Sequence, residues 1–478
     1  MNLRKTKIVC TIGPASSDIN ILVKMIETGM DVARLNFSHG THEQHSELIQ
    51  TIRQASEIAG KKIAILQDLQ GPKIRTEQVE NGCVILKDGD EFIITTENIG
   101  LGNSQKVSTS YKDLPTDLHK GATLLLDDGY LILKVNSING NNVSTTIVKG
   151  GELKNNKGII APGISFSAPS LSEKDLEDLK FGLSSDIDVV ALSFVRSVRD
   201  ILELKTTMKI FGRIVPIIAK IERPDAVLDI DNIIAEVDAI MVARGDLGLE
   251  MLPEQVPIIQ KELIRKCNHY GKPVITATQM LESMIKNPRP SRAEASDVAN
   301  AVIDGTDCVM LSGETSVGRY PIEAIDYMSK IIKNVESKYY KKENGYHIFE
   351  AYTTDMSDSL GKAACIIADE INAVAIVTFT SSTTTAKNVA KYRPRVPIIG
   401  LTDNLHVHRR LNFVWGVSSV LVQEVENEML IPDSYIEDLL KLDFIKPDDN
   451  LVFVSGLSRG NIREQNMIKI YKVPNNDY

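Results

Sequence analysis

Cysteine is scarce in this chain and poorly placed for bonding. The five residues Cys10, Cys83, Cys267, Cys308 and Cys365 are scattered, with no C-x-x-C and no metal-ligand spacing. An odd, dispersed set is no disulfide framework, so free thiols in a reducing compartment are expected. Long apolar runs are missing too: none approaches the roughly 18 residues of a membrane span. The charged start passes straight into the strand-like Ile8-Val9-Cys10, without a signal-peptide core. Positive charge is not in excess, with 54 Lys plus Arg against 63 Asp plus Glu and a net charge of −9. No global field therefore draws nucleic acid, and an anionic ligand must be held by a local cluster. G-x-x-x-x-G-K-[ST], G-x-G-x-x-G and His-Arg-Asp are all absent, which removes P-loop and protein-kinase chemistry. These absences predict a soluble, cytoplasmic protein that engages neither nucleic acid nor membrane.

What is present is the patterning of a multidomain globular chain. Apolar residues make up 43% of 478 and charged residues 24%; at about 100 to 200 residues per domain, two to four domains are expected. Strand-like runs at 7–11, 31–37 and 62–69 alternate with helical patterns at 19–28 and 43–59, the signature of parallel β-α units. Residues 70–167 change character. There Asn81-Gly82, Asp88-Gly89, Asp128-Gly129 and Asn139-Gly140 punctuate short β-rich runs, as in the hairpins of an all-β insert. The series resumes at Ser172-Glu173-Lys174-Asp175, a helix-start signal. Strands are then expected at 188–194, 215–222, 239–243, 273–278 and 308–311. Three strands before the insert and five after it make eight, which predicts an α/β fold with a (β/α)8 TIM barrel from residues 1–69 and 168–340. An open doubly wound sheet is the competing architecture. Beyond a charged, aromatic linker at 336–345, a helix at 357–370 and strands at 375–380, 397–402, 418–423 and 451–455 predict a C-terminal open α/β domain over 350–478.

In such a barrel the chemistry gathers at the C-terminal strand ends. Within IIAKIE at 217–222 the alternation of a strand points Lys220 and Glu222 the same way; alone, that is equally an ion pair on a sheet face. The second strand places Arg34, Asn36 and Ser38 on one face and Ala33, Leu35 and Phe37 on the other. A polar face bracketed by helices is costly unless something occupies it. The third strand ends in Asp68 and leads to Lys73 and Arg75, the sixth in Arg244-Gly245-Asp246, the seventh in Thr278-Gln279 and the eighth in Ser312-Gly313-Glu314. Carboxylates beside cations suit Mg²⁺, which takes one or two protein carboxylates and completes its octahedron with substrate oxygens and water. The planar fork of arginine suits a phosphoryl group. Each residue also has a plainer account: Asp246 as a turn residue or N-cap, Gly245 as a turn glycine, Arg34 as a surface ion pair, His39 as a loop residue. The agreement of several strand tips favours phosphoryl transfer.

Taken in order, KIVCTIGP at 7–14, RLNFSHG at 34–40, DLQGPKIR at 68–75, IIAKIERPDAV at 217–227, MVARGDLG at 241–248, TATQMLESM at 276–284, PSRAEASDVANAVIDG at 290–305 and LSGE at 311–314 resemble the pyruvate kinase family along nearly the whole chain. The resemblance implies transfer of phosphoryl from phosphoenolpyruvate to ADP, giving pyruvate and ATP in the last step of glycolysis, with Mg²⁺ or Mn²⁺. It assigns Lys220 to the moving phosphoryl group, Glu222 and Asp246 to the metal, and Thr278 to the proton route. It also puts Arg34 and the N–H groups of Gly245 and Asp246 at the substrate, and Asn36, Arg75 and Lys157 at the nucleotide. The insert corresponds to a small β-barrel lid domain. The monovalent-cation region falls on Asn36, Ser38, Asp68, Leu69 and Lys73. Relatives that need potassium carry glutamate in place of Lys73 and threonine in place of Leu69, so potassium independence is expected. The C-terminal domain corresponds to a regulatory one. Its effector pocket falls on Ser381, Ser382, Thr383, Thr384 and Thr385, with Lys387 or Arg459 helping. The loop at 455–466 does not resemble the tryptophan-containing fructose-1,6-bisphosphate loop, so another sugar phosphate or a nucleoside monophosphate is expected. Assembly into a homotetramer is implied as well. The rival readings are a metal-dependent lyase or aldolase barrel acting on phosphoenolpyruvate or pyruvate, and a catalytically silent effector-binding protein.

Overall fold

The computed structural model describes residues 4–339, 356–423, 433–455 and 467–475. Arg459, most of the loop at 455–466 and the second half of the linker at 336–345 lie outside them. Eight parallel strands form the expected closed barrel: β1 (Lys7–Thr11), β2 (Val32–Asn36), β3 (Ala64–Asp68), β4 (Val189–Leu192), β5 (Ile217–Ile221), β6 (Ala239–Ala243), β7 (Val274–Ala277) and β8 (Cys308–Leu311). β8 returns to pair with β1, Lys7 opposite Cys308. These strands are buried along almost their whole length, which is why they read as continuous apolar runs rather than alternating ones. Alternation instead divides two cores. Val32, Leu66, Ala191, Ile218 and Met241 fill the barrel interior, while Ala33, Leu35, Ile217, Ala219 and Val242 pack outward against the helices. The floor of the interior is closed by Phe413, from the C-terminal unit.

The insert has a core of its own around Phe92, Leu124, Leu133 and Ile147. Six strands run in the order Ile159–Ile160, Thr123–Leu126, Leu131–Asn139, Asn142–Lys149, Glu91–Thr95 and Lys106–Ser108. Isolated bridges from Arg75 to Gly158 and from Thr76 to Thr109 join the two edges of that sheet into a small barrel. A ribbon of Gly151–Lys154 with Cys83–Leu86 stands beside it. The main barrel resumes with helix α1 (Glu173–Ser184), whose Ser172 and Asp175 form the capping box expected at that position.

The C-terminal unit is a five-stranded sheet in the order Val417–Leu421, Ile398–Thr402, Ala375–Phe379, Asn450–Ser455, Met467–Lys472. The last strand is antiparallel and edge-lying, and no pattern in the sequence had singled it out. No described helix is long and apolar enough to cross a membrane.

Candidate active site

Because Ile218 lies in the barrel interior, Lys220 two residues on crowns that interior, and Glu222 follows on the same side. Lys220 Nζ donates to Ser193 Oγ at 2.7 Å and lies 2.9 Å from Glu222 Oε1 and 3.2 Å from Asp68 Oδ1. Asp68 in turn accepts from Arg34 Nε at 2.7 Å, and Arg34 Nη1 donates to Thr11 Oγ1 at 2.9 Å. Five strand tips thus share one buried charge network. Burial opposes the Lys220 charge, but Asp68 and Glu222 outweigh it and hold its pKa above the ordinary range. Burial likewise pushes the Asp68 carboxyl up, and Lys220 and Arg34 pull harder, leaving it below the usual carboxylate value.

Glu222 differs. Burial and the nearby Asp246 carboxylate raise its pKa against the pull of Lys220. Its Oε2 accepts from Phe194 N–H at 2.7 Å, whereas Oε1 is buried without a hydrogen bond, although it lies within ion-pair distance of Lys220. Two repelling carboxylates with an oxygen left over fit a divalent cation such as Mg²⁺ or Mn²⁺. No group of three or more His, Cys, Asp or Glu side chains with metal-site geometry occurs among the described residues.

Asp246 sits in the short helix α2 (Arg244–Glu250) that follows β6. Thr278 lies just past β7 at φ +65°, a left-handed conformation that a β-branched residue rarely adopts. That reversal turns its hydroxyl onto Gly245, whose N–H donates to Thr278 Oγ1 at 2.8 Å. The Gly245 N–H is therefore already engaged within the protein.

Arg244 is not part of the cation cluster. Its parity follows Ile240 and Val242, which face the helices, so its guanidinium turns outward to Asp297 at 2.8 Å and to the carbonyls of Ala277 and Thr278. It clamps the loop after β7. The sequence reading also missed Ser193. Val189 and Ala191 face the interior, and the same parity would have placed the Ser193 hydroxyl beside Lys220.

Such a ring of strand tips is matched in sequence by known proteins. A family model described as pyruvate kinase, barrel domain, matches residues 3–325, and one described as pyruvate kinase, alpha/beta domain, matches residues 358–471. The chain belongs to the pyruvate kinase family. A pyruvate kinase of Geobacillus stearothermophilus is 45% identical over 473 residues, 98% of this chain and 80% of that protein. One from Mycobacterium intracellulare is 43% identical over 474 residues, 99% of each. The crystal structure of a pyruvate kinase from Cryptosporidium parvum superposes with a TM-score of 0.92 at 37% identity, covering 98% of this chain and 96% of that one. As a pyruvate kinase family member the chain is a phosphotransferase, which sets aside the lyase, aldolase and silent-binder readings.

The remaining expected residues are dispersed. Asn36 lines a cleft of about 730 Å³ together with Pro14, His39, Gln44, His45 and Val317; apart from Asn36, the sequence reading gave none of these a role. Arg75 and Lys157 lie on the insert, Lys157 paired with Asp127 at 2.7 Å and Arg75 reaching Asn156 O at 3.4 Å. Ser38 is half-buried, Leu69 is packed in the outer core, and Lys73 forms no ion pair with the described residues, its stem beside Gly158 of the insert.

In the C-terminal unit, Ser381, Ser382, Thr384 and Thr385 line a cavity of about 60 Å³ with Gly361 and Asn388. Thr383 and Lys387 do not join them. Both line a separate small cavity against the barrel floor, with Asp238 and Arg410, because Lys387 lies one turn beyond Thr383 on the same face of the helix. Lys387, expected beside the hydroxyls, thus lines a different cavity from Ser381, Ser382, Thr384 and Thr385.

Proposed function

We propose that this enzyme transfers the phosphoryl group of phosphoenolpyruvate to ADP at the tips of β5 to β7. The bond between phosphorus and the enol oxygen breaks, that oxygen leaving with the enolate, and a β-phosphate oxygen of ADP bonds to phosphorus. The enolate that departs takes a proton at carbon, so that pyruvate and ATP leave. Lys220 faces the moving group, its charge secured by Asp68 and Glu222, and it stabilises the charge that develops there without forming a bond to it. Glu222 and Asp246 would hold Mg²⁺ or Mn²⁺, which when bound offsets charge on the phosphoryl and enolate oxygens. Arg34 and the Asp246 N–H meet the substrate, joined by the Gly245 N–H when Thr278 releases it. The Thr278 hydroxyl lies on the proton route and relays through water, since a hydroxyl alone is a poor acid.

Asn36 and the cleft beside it receive the nucleotide, and Arg75 and Lys157 approach its phosphates from the insert. In this reading residues 70–167 are a lid, 1–69 and 168–340 the catalytic barrel, and 350–478 a regulatory domain. A sugar phosphate or nucleoside monophosphate binds the hydroxyl loop at 381–385, and the enzyme works as a cytoplasmic homotetramer. Lys73 supplies a tethered cation beside Asn36, Ser38, Asp68 and Leu69, so potassium is not required.

The observation that carries the reading is the Lys220 ammonium held by Asp68, Glu222 and Ser193 at the mouth of the barrel. A coupled assay with phosphoenolpyruvate, ADP and Mg²⁺ tests it, and pyruvate formation without ADP would sink it. In the same assay, potassium-free buffer should support nearly full activity, and a many-fold rise on adding potassium removes the role given to Lys73.

A further inference from the structure

The insert is fastened to the barrel differently on its two sides. On the way out the connection is rigid. The Ser193 hydroxyl donates to Leu69 O at 2.7 Å, Asp175 accepts from Gly71 N–H at 3.0 Å, and Gly71 is backed so closely by Phe194 and Ser193 that a methyl there would stand 2.9 to 3.0 Å from them. On the way back two barrel arginines hold the main chain. Arg196, beyond β4, donates to Phe166 O at 2.8 Å, and Arg223, beyond β5, donates to Ile164 O at 2.8 Å.

The setting of Arg223 is unusual for a residue only 7% exposed. Its ion pairs are long, 3.4 Å to Glu250 and 3.9 Å to Asp225. Its Nε and the Glu250 Oε2 are both buried without a hydrogen bond. Burying a guanidinium with its fork half used costs desolvation without full return, so tight packing for stability does not account for it. Burial leaves the Glu250 carboxyl pushed up to about 7 in spite of Arg223, as befits a loose partner. Glu250 belongs to α2, which carries Gly245 and Asp246, and Arg223 directly follows Glu222 in the chain. The guanidinium of Arg223 therefore touches the return segment and the α2 helix, while its backbone directly continues the β5 tip.

We propose that Arg223, seconded by Arg196, is a positioning residue that sets the angle of the lid over the nucleotide and couples lid closure to the β5 and β6 tips. The proposal rests on reading the insert as a lid. A fixed outgoing segment and an adjustable return one make a pivot, and the loose ion pairs leave the guanidinium able to follow the Ile164 carbonyl as it moves.

Arg223→Gln and Arg196→Gln, made in the full chain, are assayed with phosphoenolpyruvate, ADP and Mg²⁺ and followed by amide hydrogen exchange across 161–168. If the closed population falls to about a fifth, KM for ADP rises roughly fivefold. KM for phosphoenolpyruvate should stay near wild type, and exchange at 161–168 should quicken while the barrel strands remain protected. Lys157→Ala tests the lid itself. Should it raise KM for ADP while both arginine variants leave it unchanged, the inference fails and the lid stands; should it change nothing either, the lid reading falls and the inference with it. Equal rises in both KM values also overturn the proposal. If Arg223→Gln does not fold, Arg196→Gln and Arg223→Lys decide by the same criteria.

Discussion

Lys220 has three protons to donate; it gives one to the Ser193 hydroxyl and stands at ion-pair distance from two carboxylates. A cation so surrounded is fixed in place and keeps its charge at any working pH. Lys220→Met keeps the volume and removes the charge, so kcat should fall by about 10²–10³, the usual effect of deleting one preorganised donor; steady-state assays on folded protein check this, and a variant as active as wild type refutes it. Much of this network was legible in the sequence, because alternation along IIAKIE and RLNFS settles which side chains share a face. Two residues were misjudged for reasons that the same alternation exposes. Arg244 has the parity of Ile240 and Val242 and so points outward, and Ser193 has the parity of Ala191 and so points in. Thr278 is different. Its parity puts it outside, and only the positive φ brings it back; strain of this kind costs about 1–3 kcal/mol and leaves no trace in a hydrophobic pattern.

At the scale of elements, helix α1 shows how a cap can serve the site. Asp175 accepts from Ser172 N–H at 2.9 Å to complete the capping box, and its other oxygen takes the Gly71 N–H. Asp175→Ala should cost about 0.5–2 kcal/mol for the cap and about 1–3 kcal/mol for the orphaned buried N–H. Asp175→Asn, which retains an acceptor, should lose less. Chemical denaturation measures both, and an Asp175→Ala chain as stable as wild type refutes the account. The cap itself was readable from Ser172 followed by acids, but its second partner lies 104 residues away and was not. The eight barrel strands were readable because each is a short apolar run between turn signals. Met467–Lys472 was not, since its side chains are half-buried or exposed and it offers no clear alternation.

Across the whole molecule, the barrel floor and the C-terminal unit are joined by buried cations. Lys5 donates to Pro394 O and Arg395 O at 2.9 and 2.6 Å, and Lys7 to Val417 O at 2.6 Å. Arg393 pairs with Asp307 at 2.9 Å, and Arg409 with Asp186 at 2.9 Å. Nothing local in the sequence announces this joint, because its partners lie tens to hundreds of residues apart. Burial depresses both Lys5 and Lys7 to about 8 from 10.5, against the opposing pull of Glu336 and Asp31 respectively. Between those two values the unfolded chain binds more protons than the folded one, so these lysines make the fold more stable as pH climbs from about 8 towards 10.5. The stability difference between wild type and Lys7→Met should therefore move in favour of wild type over that range. A difference that stays constant with pH, measured by urea denaturation, counts against it.

The pairing of β8 with β1 sets an order on synthesis. A chain leaving the ribosome N-terminus first carries one unpaired edge of β1 until Leu311 emerges, and at about 5–20 residues per second that wait lasts roughly 15 to 60 seconds. The insert, whose strands all lie between 83 and 160, can complete its own core long before then. The nascent polypeptide is thus a finished small domain carried on an open half-barrel, with exposed strand edges of the kind that chaperones shield.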